Sequence, residues 1–100
     1  MSIEGRWNVT METPVGTMKF TWSFTNENGR WSGRMIGQGL VKDSDLRDIA
    51  VREDEVSFAT TTQSPMGPLD LSFTGAPAAN EMPGVCRSRF GEFRFSAARA

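Results

Sequence analysis

The chain has 100 residues, 38% of them apolar, and its 11 basic and 12 acidic residues leave a formal net charge of −1. That length suits one domain, and the charge balance gives no electrostatic pull toward a polyanion or an anionic membrane surface. The lack of His removes the commonest general base and metal ligand, and the single Cys cannot form an internal disulfide.

The N-terminal Met1-Ser2-Ile3-Glu4 carries no apolar stretch of the signal-peptide kind. No run approaches the roughly 20 apolar residues that span a bilayer. A cytoplasmic location without membrane contact is the expectation. Residues 5–12 alternate, with Trp7, Val9 and Met11 on one side and Arg6, Asn8, Thr10 and Glu12 on the other. Side chains of a strand point to opposite faces with period two, so this pattern reads as a half-buried strand. Pro14-Val15-Gly16 then reverses the chain, Pro fixing φ and Gly permitting a positive one. The clearest strand follows, because Met18-Lys19-Phe20-Thr21-Trp22-Ser23-Phe24-Thr25 alternates without a break. Asn26-Glu27-Asn28-Gly29 closes it, and Asn-Gly between alternating runs is a strong hairpin signal.

Over 30–37, Trp31, Gly33, Met35 and Gly37 alternate with Arg30, Ser32, Arg34 and Ile36. The stretch from Gly37 to Asp45 is irregular. Asp43-Ser44-Asp45 could cap one helical turn, but Ile49, Ala50 and Val51 read better as a fourth strand. After the polar turn Arg52-Glu53-Asp54-Glu55, a fifth strand sets Val56, Phe58 and Thr60 against Ser57, Ala59 and Thr61. Ser64-Pro65-Met66-Gly67 repeats the chemistry of the first turn. The sixth strand carries Leu69, Leu71, Phe73 and Gly75 inward, and a loop over 77–80 leads to a seventh lined by Met82, Gly84, Cys86 and Ser88. Beyond Gly91, the last strand places Phe93, Phe95, Ala97 and Arg99 on one parity.

About eight strands at a spacing of roughly 12 residues, joined by short links, suit a meander. A single open sheet would leave two edges and an apolar face exposed, and closure removes both. The expected fold is all-β: an antiparallel up-and-down β-barrel of about eight strands, with residues 1–100 as one domain. A two-sheet sandwich with Greek-key links is the rival. It needs a long crossover, for which residues 37–46 are the candidate.

Gly5-Arg6-Trp7 at the start and Phe93-Arg94-Phe95-Ser96-Ala97-Ala98-Arg99 at the end resemble the two ends of a calycin barrel. In that superfamily of lipocalins, fatty-acid-binding proteins and avidins, a Gly-x-Trp opens the first strand and an Arg near the last packs across the Trp. The resemblance implies a calycin-like barrel closed at one end by Trp7 and Arg99. A guanidinium over an indole face contributes about 0.5–2 kcal/mol.

Catalytic chemistry finds no support in the residues. A Ser or Cys nucleophile needs an activating base, and the only lysines are Lys19, on an outward position, and Lys42. Cys86 reads as a small buried hydrophobe. Asp43, Asp45 and Asp48 lack the glycine and spacing of a calcium loop. Gly29, Gly33, Gly37 and Gly39 are wrongly spaced for a phosphate loop. Arg30, Arg34, Arg87, Arg89 and Arg94 could meet nucleic acid, but the aromatics that would stack on bases face inward. No cofactor, metal, nucleic acid or membrane is expected, nor an enzyme.

The inward Trp and Phe residues fill much of such a barrel, whereas Gly33, Gly37, Gly75, Gly84, Thr60, Cys86 and Ser88 leave small or polar spots on neighbouring strands. On this reading Trp22, Trp31, Met35, Phe58, Thr60, Phe73 and Cys86 line the interior and would meet a small, mainly apolar ligand. The alternative is a structural or protein-interaction domain with a filled core, working through its outer surface or as a homo-oligomer. Outward Ile36 and Val85 are the residues that suggest it. The oligomeric state is not set by the pattern.

Overall fold

The computed structural model describes residues 3–14, 16–37, 42–64 and 67–100. They form eight strands: β1 (Gly5–Thr13), β2 (Gly16–Glu27), β3 (Arg30–Ile36), β4 (Ser44–Val51), β5 (Val56–Ser64), β6 (Gly67–Gly75), β7 (Glu81–Ser88) and β8 (Gly91–Arg99). Each strand pairs antiparallel with the next, and β8 returns to pair with β1, so the sheet is a closed up-and-down barrel. Among the described residues no Greek-key crossover occurs. The residues at Val15 and Pro65-Met66, read as turns, and 38–41 of the irregular stretch lie outside the described residues.

Alternation decides which side of each strand meets the core. In β2, Phe20, Trp22 and Phe24 are buried and Lys19, Thr25 and Asn26 are exposed. Register then stacks the inward sets: Trp7 faces Trp22, Trp22 faces Met35, and Phe58 faces Phe73 across neighbouring strands. The outward side is polar, with cross-strand pairs such as Arg34–Asp45 at 2.9 Å and Arg87–Glu92 at 2.7 Å. Such exposed pairs contribute about 0.2–1 kcal/mol each and mainly keep the wall soluble. Ile36 and Phe90, 40% and 52% exposed, lie on β3 and in the β7–β8 turn, too far around the barrel to form one patch.

The β2–β3 hairpin turns on Asn28 and Gly29, with φ of 54° and 87°, between the paired Glu27 and Arg30. Two successive positive φ values match the twist of the flanking strands, and Asn and Gly tolerate them best.

Strand β4 corrects the reading made from the residues. It begins at Ser44, five residues before Ile49, and no helical turn forms at Asp43-Ser44-Asp45. The alternation there is hidden by a bulge. Pairing with β5 runs through Leu46↔Thr60 and Arg47↔Ala59, then resumes at Ala50↔Ser57, so Asp48 and Ile49 together oppose one residue. Asp48 takes φ of 55° and stays exposed. The extra residue switches parity, so Leu46 before it and Ile49 and Val51 after it all pack on the core. Without the bulge, the Asp48 carboxylate would point into the hydrophobic interior.

Candidate functional site

Strand direction gives the barrel two unlike ends. β1, β3, β5 and β7 start at one end, where both chain termini lie, and β2, β4, β6 and β8 start at the other.

The terminal end is sealed. Trp7 is fully buried and its Nε1 donates to the Ile3 carbonyl at 2.8 Å. The Arg99 guanidinium lies 4.5 Å from the Trp7 ring centroid, while its Nη1 donates to the Glu4 carbonyl and its Nε to the Ala79 carbonyl. One planar cation thus ties the N-terminal segment, the β6–β7 loop and β8 together over an indole face. Arg94 has the opposite parity and is exposed. Replacing Arg99 with Lys keeps the charge but loses the fork, so we expect about 1–2 kcal/mol of lost stability by chemical denaturation. A loss below a few tenths of a kcal/mol would show that the seal is decorative.

The middle is filled. Trp22 meets Phe20, Phe24, Phe58, Phe73 and Phe95 at centroid distances from 4.7 to 6.1 Å, mostly edge to face. Trp22, Met35, Phe58, Phe73 and Cys86, predicted to line a pocket, are all buried against one another. Three of the four glycines predicted to leave gaps, Gly33, Gly75 and Gly84, are instead slots for large neighbours. A Cβ on Gly84 would overlap the Phe95 ring and the Thr74 carbonyl, one on Gly75 would overlap Met82, and one on Gly33 would press on Leu46 and Phe24. Trp22 Nε1 has no hydrogen-bond acceptor among the described residues, an uncompensated donor that costs about 1–3 kcal/mol.

The other end shows no such closure among the described residues. The third residues of β2, β6 and β8, namely Met18, Leu69 and Phe93, point inward yet remain half-buried. Beneath them lie buried Thr60, Thr62, Leu71 and Cys86. Thr60 Oγ1 donates to the Asp45 carbonyl at 2.8 Å and stands 2.6 Å from Ser44 Oγ. Since the Thr60 hydrogen is spent on that carbonyl, Ser44 is the donor in the second bond. Thr62 Oγ1 donates to the Lys42 carbonyl at 2.9 Å. The only buried polar side chains among the described residues are these two threonines.

Of the residues predicted to form a site, Met35, Thr60 and Cys86 lie toward this end, Met35 paired with Ser44. Trp31 does not: as the second residue of β3 it sits toward the sealed end, half-buried at the wall. Ser44 and Thr62 were missed. Thr62 shares the parity of Thr60, which could have found it, whereas Ser44 was obscured by the bulge downstream.

The remaining candidates are accounted for by local contacts. Asp43 accepts from the Gly37 amide, Asp45 pairs with Arg34, and Asp48 lies beside Arg47. A shallow groove lined by Asp54, Glu55, Thr74 and Pro83 is on the outer wall, open to solvent. Burial pushes the Cys86 thiol up to about 12. The folded state therefore holds its proton while the unfolded thiol loses it, so stability should be level below pH 9 and fall as pH rises toward 12. Cys86→Ala should lack that component in alkaline denaturation curves, and the native thiol should resist iodoacetamide at pH 8. Rapid native alkylation would contradict the burial.

No protein-family model matches this chain, and no curated protein does. A solved structure of a redesigned β-barrel is similar to it, with a TM-score of 0.76 over 98% of this chain and 91% of that one. At 13% identity the likeness is one of fold.

Proposed function

We propose that this barrel is a non-catalytic binding module that takes a small, mainly apolar molecule at the end away from Trp7 and Arg99. The observation that carries the reading is the asymmetry of the interior. Partly exposed inward apolar side chains lie toward both ends, Trp31, Ile49 and Val51 toward the termini and Met18, Leu69 and Phe93 toward the other end, but among the described residues only the terminal end carries a closure such as that of Trp7 and Arg99. Exposed inward apolar surface costs free energy that an apolar guest recovers. The filled middle limits the guest to the mouth and its first inner layer, so it is small. Titration with N-phenyl-1-naphthylamine, whose emission rises in apolar surroundings, should give a saturable 1:1 signal. Leu69→Lys, which puts a charge in the mouth, should abolish that signal without changing the circular dichroism. An unsaturable signal, or one untouched by Leu69→Lys, would reject the reading.

The packing of five phenylalanine rings about Trp22 favours a second reading, a filled domain that acts through its outer surface. It is the reading left standing if the probe fails to bind.

A further inference from the structure

We infer that the outer wall along β7 recognises a second copy of this chain. The Arg89-Phe90 tip of one copy seats in the groove beside Asp54 and Glu55 of the other, and the contact is returned, giving a two-fold dimer. Phe90 is 52% exposed and lies in the two-residue turn between the paired Ser88 and Gly91. Nothing in that turn calls for an aromatic. Gly91 supplies a positive φ of 118°, and small polar residues serve such turns best. The tip is nonetheless held in place: the Phe90 amide donates to Ser88 Oγ at 3.1 Å, and the Arg89 guanidinium lies 5.1 Å from the ring centroid. An apolar ring so displayed costs free energy in water, and one already held loses little freedom on docking.

The groove is the counterpart of that tip. Gly75, Ala76, Pro83 and Gly84 line a depression of about 450 Å³, open to solvent, with Asp54 and Glu55 beside it. That volume is in the range of sites that take a small molecule, and so has room for one aromatic side chain. The Arg52 amide donates to the Glu55 carbonyl and the Ala76 amide to the Pro83 carbonyl, which fixes the segments that flank it. Among the described residues no ion pair neutralises Asp54, Glu55 or Arg89. The turn over 52–55 sets three carboxylates against one Arg and is net negative. At the tip, Arg87 is spent on Glu92 and Arg89 is left as the uncompensated cation. Ring therefore meets apolar floor where cation meets anions. Within one molecule the two never meet, because they lie at opposite ends of β7. Two copies set antiparallel along β7 satisfy both contacts at once, since tip and groove are equally far apart in each. Half-buried Val85, on the outward side of β7, falls between the two contacts. Closed two-fold pairs are the commonest form of self-association.

This contact gives the outer surface a specific partner and needs nothing from the mouth. Sedimentation equilibrium of the whole chain, from low micromolar to millimolar, should show an average mass that rises from monomer to dimer and no further, with the dimer weakened by salt. Phe90→Ser, at an exposed turn position, should weaken it more than about ten-fold. Two complementary variants make the sharper test. Asp54→Lys with Glu55→Lys keeps the tip and spoils the groove, whereas Arg89→Glu with Phe90→Ser keeps the groove and removes the tip. Each should be monomeric alone, and the two mixed should form a 1:1 pair through the contact that remains. A wild-type chain that stays monomeric at millimolar concentration, growth past the dimer, a dimer untouched by Phe90→Ser, or a mixture no more associated than its parts overturns the inference. Any of these leaves the probe titration, and with it the binding reading, intact.

Discussion

Trp22→Ala should remove about 3–5 kcal/mol of stability, the range for deleting a large buried aromatic. For a chain of 100 residues this is a drop in midpoint of more than about ten degrees. The reason lies in what surrounds the ring. Phe20, Phe24, Phe58, Phe73 and Phe95 come from four different strands and each presents an edge or face to the same indole. Those strands are fixed by ladders around a closed circle, so the wall cannot collapse into the void as a loop could. The cavity term is then close to its maximum. Trp22→Phe should cost less than half as much, because it keeps most of the ring contact and deletes a donor that has no acceptor. Thermal unfolding followed in the near ultraviolet reads both. A Trp22→Ala loss below about 1 kcal/mol would mean that the middle of the barrel is not packed as described.

The second large effect comes from adding a single methyl group. Gly84→Ala should destabilise the barrel by about 3 kcal/mol, at the upper end of overpacking costs. Gly84 faces Gly75 on β6 and Phe95 on β8, and the Phe95 ring occupies the volume a side chain would need. A Cβ there meets the ring on one side and the Thr74 carbonyl on the other. The ring can move only at the expense of its contacts with Trp22 and Phe73. Gly84→Ala combined with Phe95→Leu should therefore lose less than the sum of the two single changes, since the smaller side chain vacates part of the slot. Additive losses in denaturant titrations would argue that Gly84 and Phe95 do not share space.

The strands themselves were largely legible in the residues. Met18 through Thr25 could be only a ribbon with one dry side, and the turn residues at Asn28-Gly29 placed its reversal. Trp22 and Phe58 share a parity with their neighbours and do share the interior. Strand β4 was half hidden because the signal is periodicity, and a bulge at Asp48 breaks periodicity by design of its geometry. The terminal pairing of Trp7 with Arg99 joins residues at opposite ends of the chain, and its contacts with Glu4 and Ala79 carbonyls belong to no local pattern.

The candidate site was the least legible part. Gly33, Gly75 and Gly84 read as absences in one dimension, and each proved to be room used by a neighbour on the adjoining strand or beyond. Thr60 was recognisably inward, but that its hydrogen goes to the Asp45 carbonyl, beside Ser44 and Thr62, depends on three hydroxyls and three carbonyl or hydroxyl partners meeting in space.

Alternation along the chain was enough to decide which residues go inside and that they sit on strands, because side-chain direction in an extended backbone is a local property with period two. Closure of the circle, the stagger between strands and the bulge decided which inward residues touch, which end is sealed and where apolar surface is left over. Those are properties of distances between residues far apart in sequence, and no periodicity along the chain encodes them.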